Sequence, residues 1–144
     1  MPHLNIGATQ ADDAAIWNGD CLEILLETQN HSYYQIAISP SGAITDLDRK
    51  SGLETRWSAG AEVATQREEG AWAAEVRIPI VGEQQADLFP LQGVSGRAPT
   101  GLYPWFFNVC RQRVRPDSQE HSAFSPTGTT GFHVPLKFGK LTVR

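Results

Sequence analysis

The sequence predicts an all-β fold on two observations. Apolar residues alternate with period two in several short segments, and turn-forming residues, among the 13 Gly and 9 Pro, separate these segments. No segment places apolar residues at i, i+3, i+4 and i+7 over the roughly ten positions that an amphipathic helix needs. A length of 144 residues fits one domain of ordinary size, so we expect residues 1–144 to form one domain with one core.

The first half of the chain predicts three neighbouring strands. Cys21–Thr28 is a nearly continuous run of Leu and Ile, interrupted by Glu23, which is typical of a central strand buried on both faces. Tyr33–Ser39 follows across a polar loop, and the turn Pro40–Gly42 leads into Ala43–Leu47. These three strands can form a meander.

The second half predicts four more strands around a long loop. Within one of them Trp72 and Val76 point one way and Glu75 points the other, which makes it the clearest amphipathic strand. Val81–Pro104 is rich in Gly and Pro and lacks periodicity, so we expect a surface loop. Trp57 lies in an aperiodic segment, and we expect it in a surface loop or a lid. The four strands are Glu62–Arg67, Ala71–Pro79, Trp105–Arg113 and Phe138–Val143.

Composition excludes several classes of partner. The net charge of −4 gives no general affinity for phosphate backbones, so nucleic acid is not expected as a partner. No stretch approaches the roughly 18 to 20 apolar residues that span a bilayer, and the first residues lack the pattern of a secretory signal. Cys21 and Cys110 fit small buried hydrophobic positions, and a disulfide between them stays open because sequence does not fix their separation.

A cluster around Trp17 has the side chains that a sugar site needs. Trp17 lies three residues before Asp20 and six before Glu23. An indole stacks on the apolar face of a pyranose, and carboxylates bond its hydroxyls. The structural alternative for Trp17 is a cap on the core with its indole N–H on a carbonyl. For Glu23 the alternative is an ion pair with an arginine such as Arg111.

Metal and catalytic motifs are weak. Asp12, Asp13 and Asp20 are close in sequence and offer oxygen ligands for calcium, but their spacing differs from that of a hand-type loop and favours solvated turns. The sequence has no Gly-x-Ser-x-Gly elbow, and we expect no catalytic activity. A metal-dependent alternative would bring His121 and Glu120 to His133. The four histidines are scattered: His3, His31, His121 and His133.

Six segments in order resemble the family 9 carbohydrate-binding modules and their relatives in the DOMON-like group, across residues 12–143. The resemblance implies an antiparallel β-sandwich of jelly-roll type, usually a secreted bacterial accessory module beside a glycoside hydrolase. It also implies binding of a monosaccharide, an oligosaccharide or a polysaccharide end between two aromatic side chains, with no cofactor except structural calcium. The segments are Trp17–Leu26, Tyr33–Gly42, Arg67–Pro79, Phe107–Arg111, Ser122–Pro126 and Phe138–Leu141.

The resemblance assigns roles to particular residues. Trp17 and Glu23 match the first aromatic residue and its following acid, and Phe124 stands where relatives have the second aromatic. Asn108 and Arg111 resemble the polar end of the strand that approaches the sugar, although period two puts them on opposite faces. The predicted carbohydrate-binding residues are Trp17, Asp20, Glu23, Asn108, Arg111 and Phe124.

The start of the chain departs from the family pattern. Such modules carry several dozen residues before the Trp17 segment, and here sixteen precede it. We therefore expect an open sheet edge, covered by an upstream segment, a partner chain or a second copy. Localisation is extracellular or periplasmic if an upstream piece carries a signal peptide. Two alternatives remain: a haem-binding DOMON-type domain, for which Met1 is the one methionine, and a docking domain of a larger glycan-processing protein.

Overall fold

The computed structural model describes residues 4–29, 31–50, 55–82, 86, 88 and 91–144, and these residues form an all-β sandwich, as predicted. Met1 and His3 lie outside the described residues. None of the described helices is long and apolar enough to cross a membrane. Within the described ranges, the elements with defined bounds are two short 3₁₀ helices, Ala14–Asn18 and Pro135–Lys137, and ten strands. The strands are β1 Cys21–Thr28, β2 His31–Ile38, β3 Ile44–Asp48, β4 Glu62–Glu68, β5 Ala71–Arg77, β6 Ile80–Val81, β7 Val94–Ser95, β8 Trp105–Arg115, β9 Ser118–Ala123 and β10 Gly139–Leu141.

The main sheet has the order β10-β8-β1-β2-β3, and β9 also pairs with β8. Strand β1 lies in the middle, antiparallel to β2 and β8, with Leu25 opposite Gln35 and Asn108. The prediction of a central strand is confirmed, because the Leu and Ile side chains of β1 are covered on both faces of the sheet. Opposed residues share a face, so Glu23 lies on the same face as Ala37 and Cys110.

One face of the main sheet, here called the inner face, packs against the hairpin of β4 and β5. Leu26, Ile36 and Trp105 of the sheet form one cluster with half-buried Trp72 and Val76 of the hairpin. The alternation of residues in β5 therefore predicted correctly which of its side chains face the core.

Trp57 belongs to this core, and the expectation of an exposed loop or lid was wrong. Its side chain is 2% exposed, its ring stacks on Tyr34 at 4.6 Å between centroids, and its indole N–H donates to the Gly93 carbonyl at 3.0 Å. Local sequence around Trp57 has no periodicity because its burial comes from contacts with distant strands, which no short window records.

The opposite face of the main sheet, here called the pocket face, bears Glu23, Leu25 and Gln35 near its centre. Two flanking segments cover it. On one side Ile16 of the first 3₁₀ helix packs with Cys21, Ala37 and other small residues. On the other side Phe132 and Phe138 pack on Leu25 and Cys110. Between the two covers the sheet is open.

Three strands of the described chain, β6, β7 and β9, were not predicted. Strands β6 and β7 form a short parallel pair, with β6 at the start of the expected loop Val81–Pro104 and β7 within it. Strand β9 has the polar sequence Ser-Gln-Glu-His-Ser-Ala and is mostly exposed, so its strand character comes from pairing with β8 and not from apolar alternation. Both cysteines are free and buried. Burial raises the pKa of the Cys21 thiol and of the Cys110 thiol to about 12, which keeps both protonated.

Candidate functional site

A pocket of about 450 Å³ opens on the pocket face, within the size range of small-molecule sites. The sheet supplies its floor. The segment that contains the first 3₁₀ helix, here called the N-terminal cover, supplies one wall, and the segment around Phe132, here called the C-terminal cover, contributes the imidazole of His133. The pocket lining includes Trp17, Glu23, Gln35, Leu47, Arg49 and His133.

The first 3₁₀ helix places Trp17 at the pocket. Asp13 caps this helix, its Oδ1 accepting from the Ala15 amide at 2.9 Å, and fully buried Ile16 anchors it to the sheet. Gln112 of β8 donates its Nε2–H groups to the carbonyl oxygen of Trp17 at 2.7 Å and to the carbonyl oxygen of Gly19 at 3.0 Å. The Trp17 backbone is therefore held from both the cap and the sheet.

Glycine permits the close approach that this arrangement requires. A Cβ at Gly7 would overlap the Ala15 carbonyl oxygen, and a Cβ at Gly19 would overlap the Gly7 amide nitrogen. The N-terminal segment thus crosses the 3₁₀ helix at backbone distance, which only residues without side chains allow.

A chain of hydrogen bonds runs across the pocket floor. The Trp17 indole N–H donates to Glu23 Oε1 at 2.8 Å, and Gln35 Nε2 donates to Glu23 Oε2 at 3.0 Å. Arg49 Nη1 then donates to Gln35 Oε1 at 2.8 Å. Because a guanidinium only donates and an ionised carboxylate only accepts, the Gln35 amide has one orientation that satisfies both neighbours. The chain is therefore directional from Arg49 to Glu23.

Glu23 is a buried carboxylate with capacity left for a ligand. It is 4% exposed. Burial raises the pKa of its carboxyl above the ordinary value, and the hydrogen bonds from Trp17 and Gln35 and the charge of Arg49 oppose that rise. A carboxylate has about four acceptor positions, and the two protein donors occupy two of them. The remaining positions suit hydroxyl donors.

His133 is a pocket residue that sequence analysis set aside. Its ring stacks on Tyr33 with centroids 6.1 Å apart, and its Nδ1 lies 3.1 Å from the Tyr33 hydroxyl. Burial and the charge of Arg49 lower the pKa of His133, which favours the neutral imidazole. The Arg49 guanidinium lies 5.9 Å from the centroid of the same Tyr33 ring. One tyrosine therefore supports both polar groups at this end of the pocket.

Of the six residues predicted from sequence, Trp17 and Glu23 meet in this pocket. The alternatives for both differ from what is found: the indole N–H bonds a carboxylate, not a carbonyl, and Glu23 has no ion pair with Arg111. Arg111 instead lies 3.8 Å from Glu120 of the neighbouring strand. The register of β8 against β1 is regular, so Asn108 and Arg111 face opposite ways, as predicted.

The other four predicted residues lie outside the pocket, and each has a structural partner. Asp20 is buried and accepts from Arg115 Nη1 at 2.8 Å. Asn108 is fully buried, and its amide donates to the Ser125 carbonyl at 2.8 Å and accepts from the Ser125 amide at 2.9 Å. The polar groups of Asp20 and Asn108 are bonded to other residues of the protein and do not reach this pocket.

Phe124 and Arg111 lie outside the pocket because both are on the opposite, inner-face side of the sheet. Phe124 is 67% exposed and stacks on Phe107 with centroids 5.2 Å apart, so it stands on the inner-face side of β8. Arg111 is on that same side by strand alternation. The pocket takes its second ring from His133 and not from Phe124.

Gln35, Arg49 and His133 were missed by sequence reasoning. The sequence contained an indication for Gln35. It is a lone amide within the largely apolar strand β2, and because such a group is costly to bury without partners, it indicates a polar neighbour. Arg49 follows the end of β3, and His133 lies in an irregular segment, and neither position carries a local pattern.

The aspartates considered for calcium have separate places. Asp13 caps a helix, Asp20 pairs with Arg115, and Asp12 lines the pocket with a backbone φ of 58°. Within the part of the chain that the structure describes, no group of three or more His, Cys, Asp or Glu side chains is placed to hold a metal ion.

Fold and pocket together define a β-sandwich with a polar and aromatic pocket on one sheet face. No protein-family model matches the sequence, and a search of curated proteins finds no match. The structure is similar to that of a candidate carbohydrate-binding protein from Bacteroides uniformis, with a TM-score of 0.66 and 14% sequence identity. The alignment covers 97% of this chain and 67% of that protein. At this identity the likeness establishes a shared fold.

Proposed function

We propose that this protein binds carbohydrate without catalysis, in the pocket that contains Trp17, Glu23, Gln35, Arg49 and His133. The observation that carries the proposal is the hydrogen-bonded chain from Trp17 through Glu23 and Gln35 to Arg49. It arranges an aromatic face, a carboxylate, an amide and a guanidinium in one pocket, and these are the groups that recognise a sugar. The carbohydrate-binding description of the structurally similar protein supports the same ligand class.

Each group has a defined part in the proposed recognition. Glu23 accepts from two sugar hydroxyls, and Arg49, with four N–H donors beyond its bond to Gln35, donates to others. The half-buried ring of Trp17 covers the apolar C–H face of the sugar. The internal hydrogen bonds fix these side chains before the ligand arrives, which lowers the entropic cost of binding.

Affinity for one or two sugar units should be modest. Every hydroxyl gives up water before it bonds the protein, so each net hydrogen bond contributes about 0.5 to 1.5 kcal/mol. Dissociation constants in the range of about 1 mM to 1 μM are therefore expected.

The state of Glu23 supports binding over hydrolysis. A glycosidase needs two carboxyl groups placed on either side of the scissile bond. Here both Glu23 oxygens accept from fixed protein donors, and the Asp46 carboxylate accepts from the Ala59 amide at 2.7 Å and is used within the core. Both of these carboxyl groups are already engaged by protein donors, and Asp12 is the third carboxyl group of the pocket lining.

Calorimetry with a panel of neutral monosaccharides and oligosaccharides tests the proposal. Trp17→Ala should weaken binding by more than about tenfold, and Trp17→Phe should retain part of it, because the ring stays and the N–H to Glu23 is lost. Tyr103→Ala is the matched control, since Tyr103 is a 59% exposed aromatic outside the pocket. Equal binding by wild type and Trp17→Ala would contradict the assignment.

Phe124→Ala separates two versions of the site. The pocket described above predicts unchanged sugar binding in this variant, because Phe124 packs on Phe107 away from the pocket. A loss of binding as large as that of Trp17→Ala would instead favour the second wall that the family resemblance implies.

A further inference from the structure

A second cleft, of about 300 Å³, lies at the far end of β8 and shares no lining residue with the sugar pocket. Arg111, Arg113 and Arg115 alternate along β8, so period two places all three on the inner-face side of the sheet. The hairpin end of β4 and β5 adds the half-buried indole of Trp72. The cleft therefore combines three guanidinium groups with one aromatic ring.

The carboxylates that pair with these three arginines do not balance their charge. Asp20 pairs with Arg115 at 2.8 Å, and Glu120 pairs with Arg113 at 3.2 Å. Glu120 also approaches Arg111, but only to 3.8 Å. Three cations against two carboxylates leave a formal charge of +1.

Many N–H donors of the three arginines are unused. A guanidinium carries five such donors. The side chain of Arg111 makes no hydrogen bond to any described residue, and the side chain of Arg113 uses only Nη1, on Glu120. Arg115 uses Nη1 alone, and its Nε is the one buried side-chain atom without a partner among the described residues. Spare donors and spare charge coincide in one cleft.

We propose that the cleft formed by Trp72, Arg111 and Arg113 binds an oxyanion. The guanidinium fork matches the paired oxygens of carboxylate, phosphate and sulfate groups, and such charge-assisted bonds are roughly twice as strong as neutral ones. Arg115 is paired with Asp20 and lines the cleft beside them. The oxyanion comes either from a free inorganic ion or from the acid group of a sugar, for which Trp72 offers an apolar surface.

The test follows the indole ¹H–¹⁵N resonance of Trp72 at constant ionic strength during titration with phosphate, sulfate, glucuronate and neutral glucose. We expect a saturable shift with at least one of the three anions and none with glucose. Saturation by phosphate or sulfate alone identifies a free ion as the source. Saturation by glucuronate identifies the sugar acid. The indole resonance of Trp17 reports on the sugar pocket in the same spectra, so binding at the two sites is tested independently.

Arginine variants establish whether the cleft is responsible. The double variant Arg111→Gln with Arg113→Gln should weaken anion binding by more than about tenfold, and Arg111→Lys should weaken it less, because it keeps the charge but loses the fork. Arg77→Gln is the matched control, since Arg77 is an exposed arginine on β5 outside this cleft. Arg115 is kept, because its removal would leave Asp20 buried and unpaired.

Two results would overturn the proposal. One is the absence of saturation with all three anions. The other is equal weakening by Arg77→Gln and by the double variant, which would indicate general charge screening. Thermal unfolding of each variant verifies that it is folded, and both arginines that are replaced lie partly exposed on the surface.

Discussion

Exchanging Glu23 and Gln35 tests the hydrogen-bonded chain on the pocket floor. In Glu23→Gln, the new amide can accept from Trp17 or from Gln35 but not from both, so one buried donor loses its partner at a cost of about 1 to 3 kcal/mol. In Gln35→Glu, two carboxylates meet at positions that are 4% and 2% exposed, and an uncompensated buried charge costs about 3 to 5 kcal/mol. Each single variant should be clearly less stable than wild type.

The double variant Glu23→Gln with Gln35→Glu should recover most of this loss. Trp17 then donates to the amide oxygen at position 23, that amide donates to the carboxylate at position 35, and Arg49 donates to the same carboxylate. Every donor again meets an acceptor, the total charge is unchanged, and the two side chains have nearly the same size. We expect stability within about 1 kcal/mol of wild type, which corresponds to a coupling energy of at least about 3 kcal/mol.

Urea unfolding followed by tryptophan fluorescence measures the unfolding free energy of wild type, of the two single variants and of the double variant. The matched control is the exposed pair Gln66 and Glu68 on β4, where Gln66 Nε2 donates to Glu68 Oε1 at 3.1 Å. The same exchange there should show a coupling below about 0.5 kcal/mol, because water replaces each lost bond. If the costs at Glu23 and Gln35 simply add in the double variant, the chain of directed hydrogen bonds does not exist as described.

Three further predictions follow from the surroundings of the pocket. As the pH rises through the ordinary carboxyl pKa of 4.5 towards the raised pKa of Glu23, the folded state retains a proton that the unfolded chain releases. Wild type should therefore lose stability relative to Glu23→Gln over this window, and parallel curves of unfolding free energy against pH would contradict it. Gly7→Ala should destabilise the fold by about 1 to 3 kcal/mol and weaken sugar binding, because the new Cβ displaces the Ala15 carbonyl, and calorimetry with urea unfolding checks both effects. Asp20→Ala should cost about 3 kcal/mol by leaving Arg115 unpaired, yet leave the affinity of the folded fraction unchanged, and a lost affinity would place Asp20 in the site after all.

The sequence was sufficient for those features that short-range patterns determine. The Leu and Ile run of β1 predicted its central place, and the alternation in β5 predicted which side chains meet the core. Trp17 and Glu23 were linked correctly because they lie six residues apart and join the same strand entry, so their proximity is nearly local.

Contacts between segments that are distant in the chain determine the features that the sequence did not predict. Asn108 lies on the pocket face, opposite to Arg111 as predicted. The segment that follows β9 folds back over it, and Ser125 forms two hydrogen bonds with its side-chain amide. His133 reaches the pocket through contacts with Tyr33, which is 100 residues away in the chain. No pattern in a window of ten or twenty residues records such contacts, since they depend on how whole segments cross the sheet.

The buried carboxylate explains why the pocket lies where it does. Glu23 sits at the centre of the sheet, where an unpaired charge would be costly, so it requires donors from every direction. Those donors come from separate elements: Trp17 from the N-terminal cover, Gln35 from β2, and Arg49 from the end of β3. The interactions that make Glu23 tolerable thus also assemble the groups that would bind a sugar. It follows that substitutions of Glu23 alter stability and binding together, and that Trp17→Phe, which keeps an aromatic ring but removes one donor from buried Glu23, also alters both.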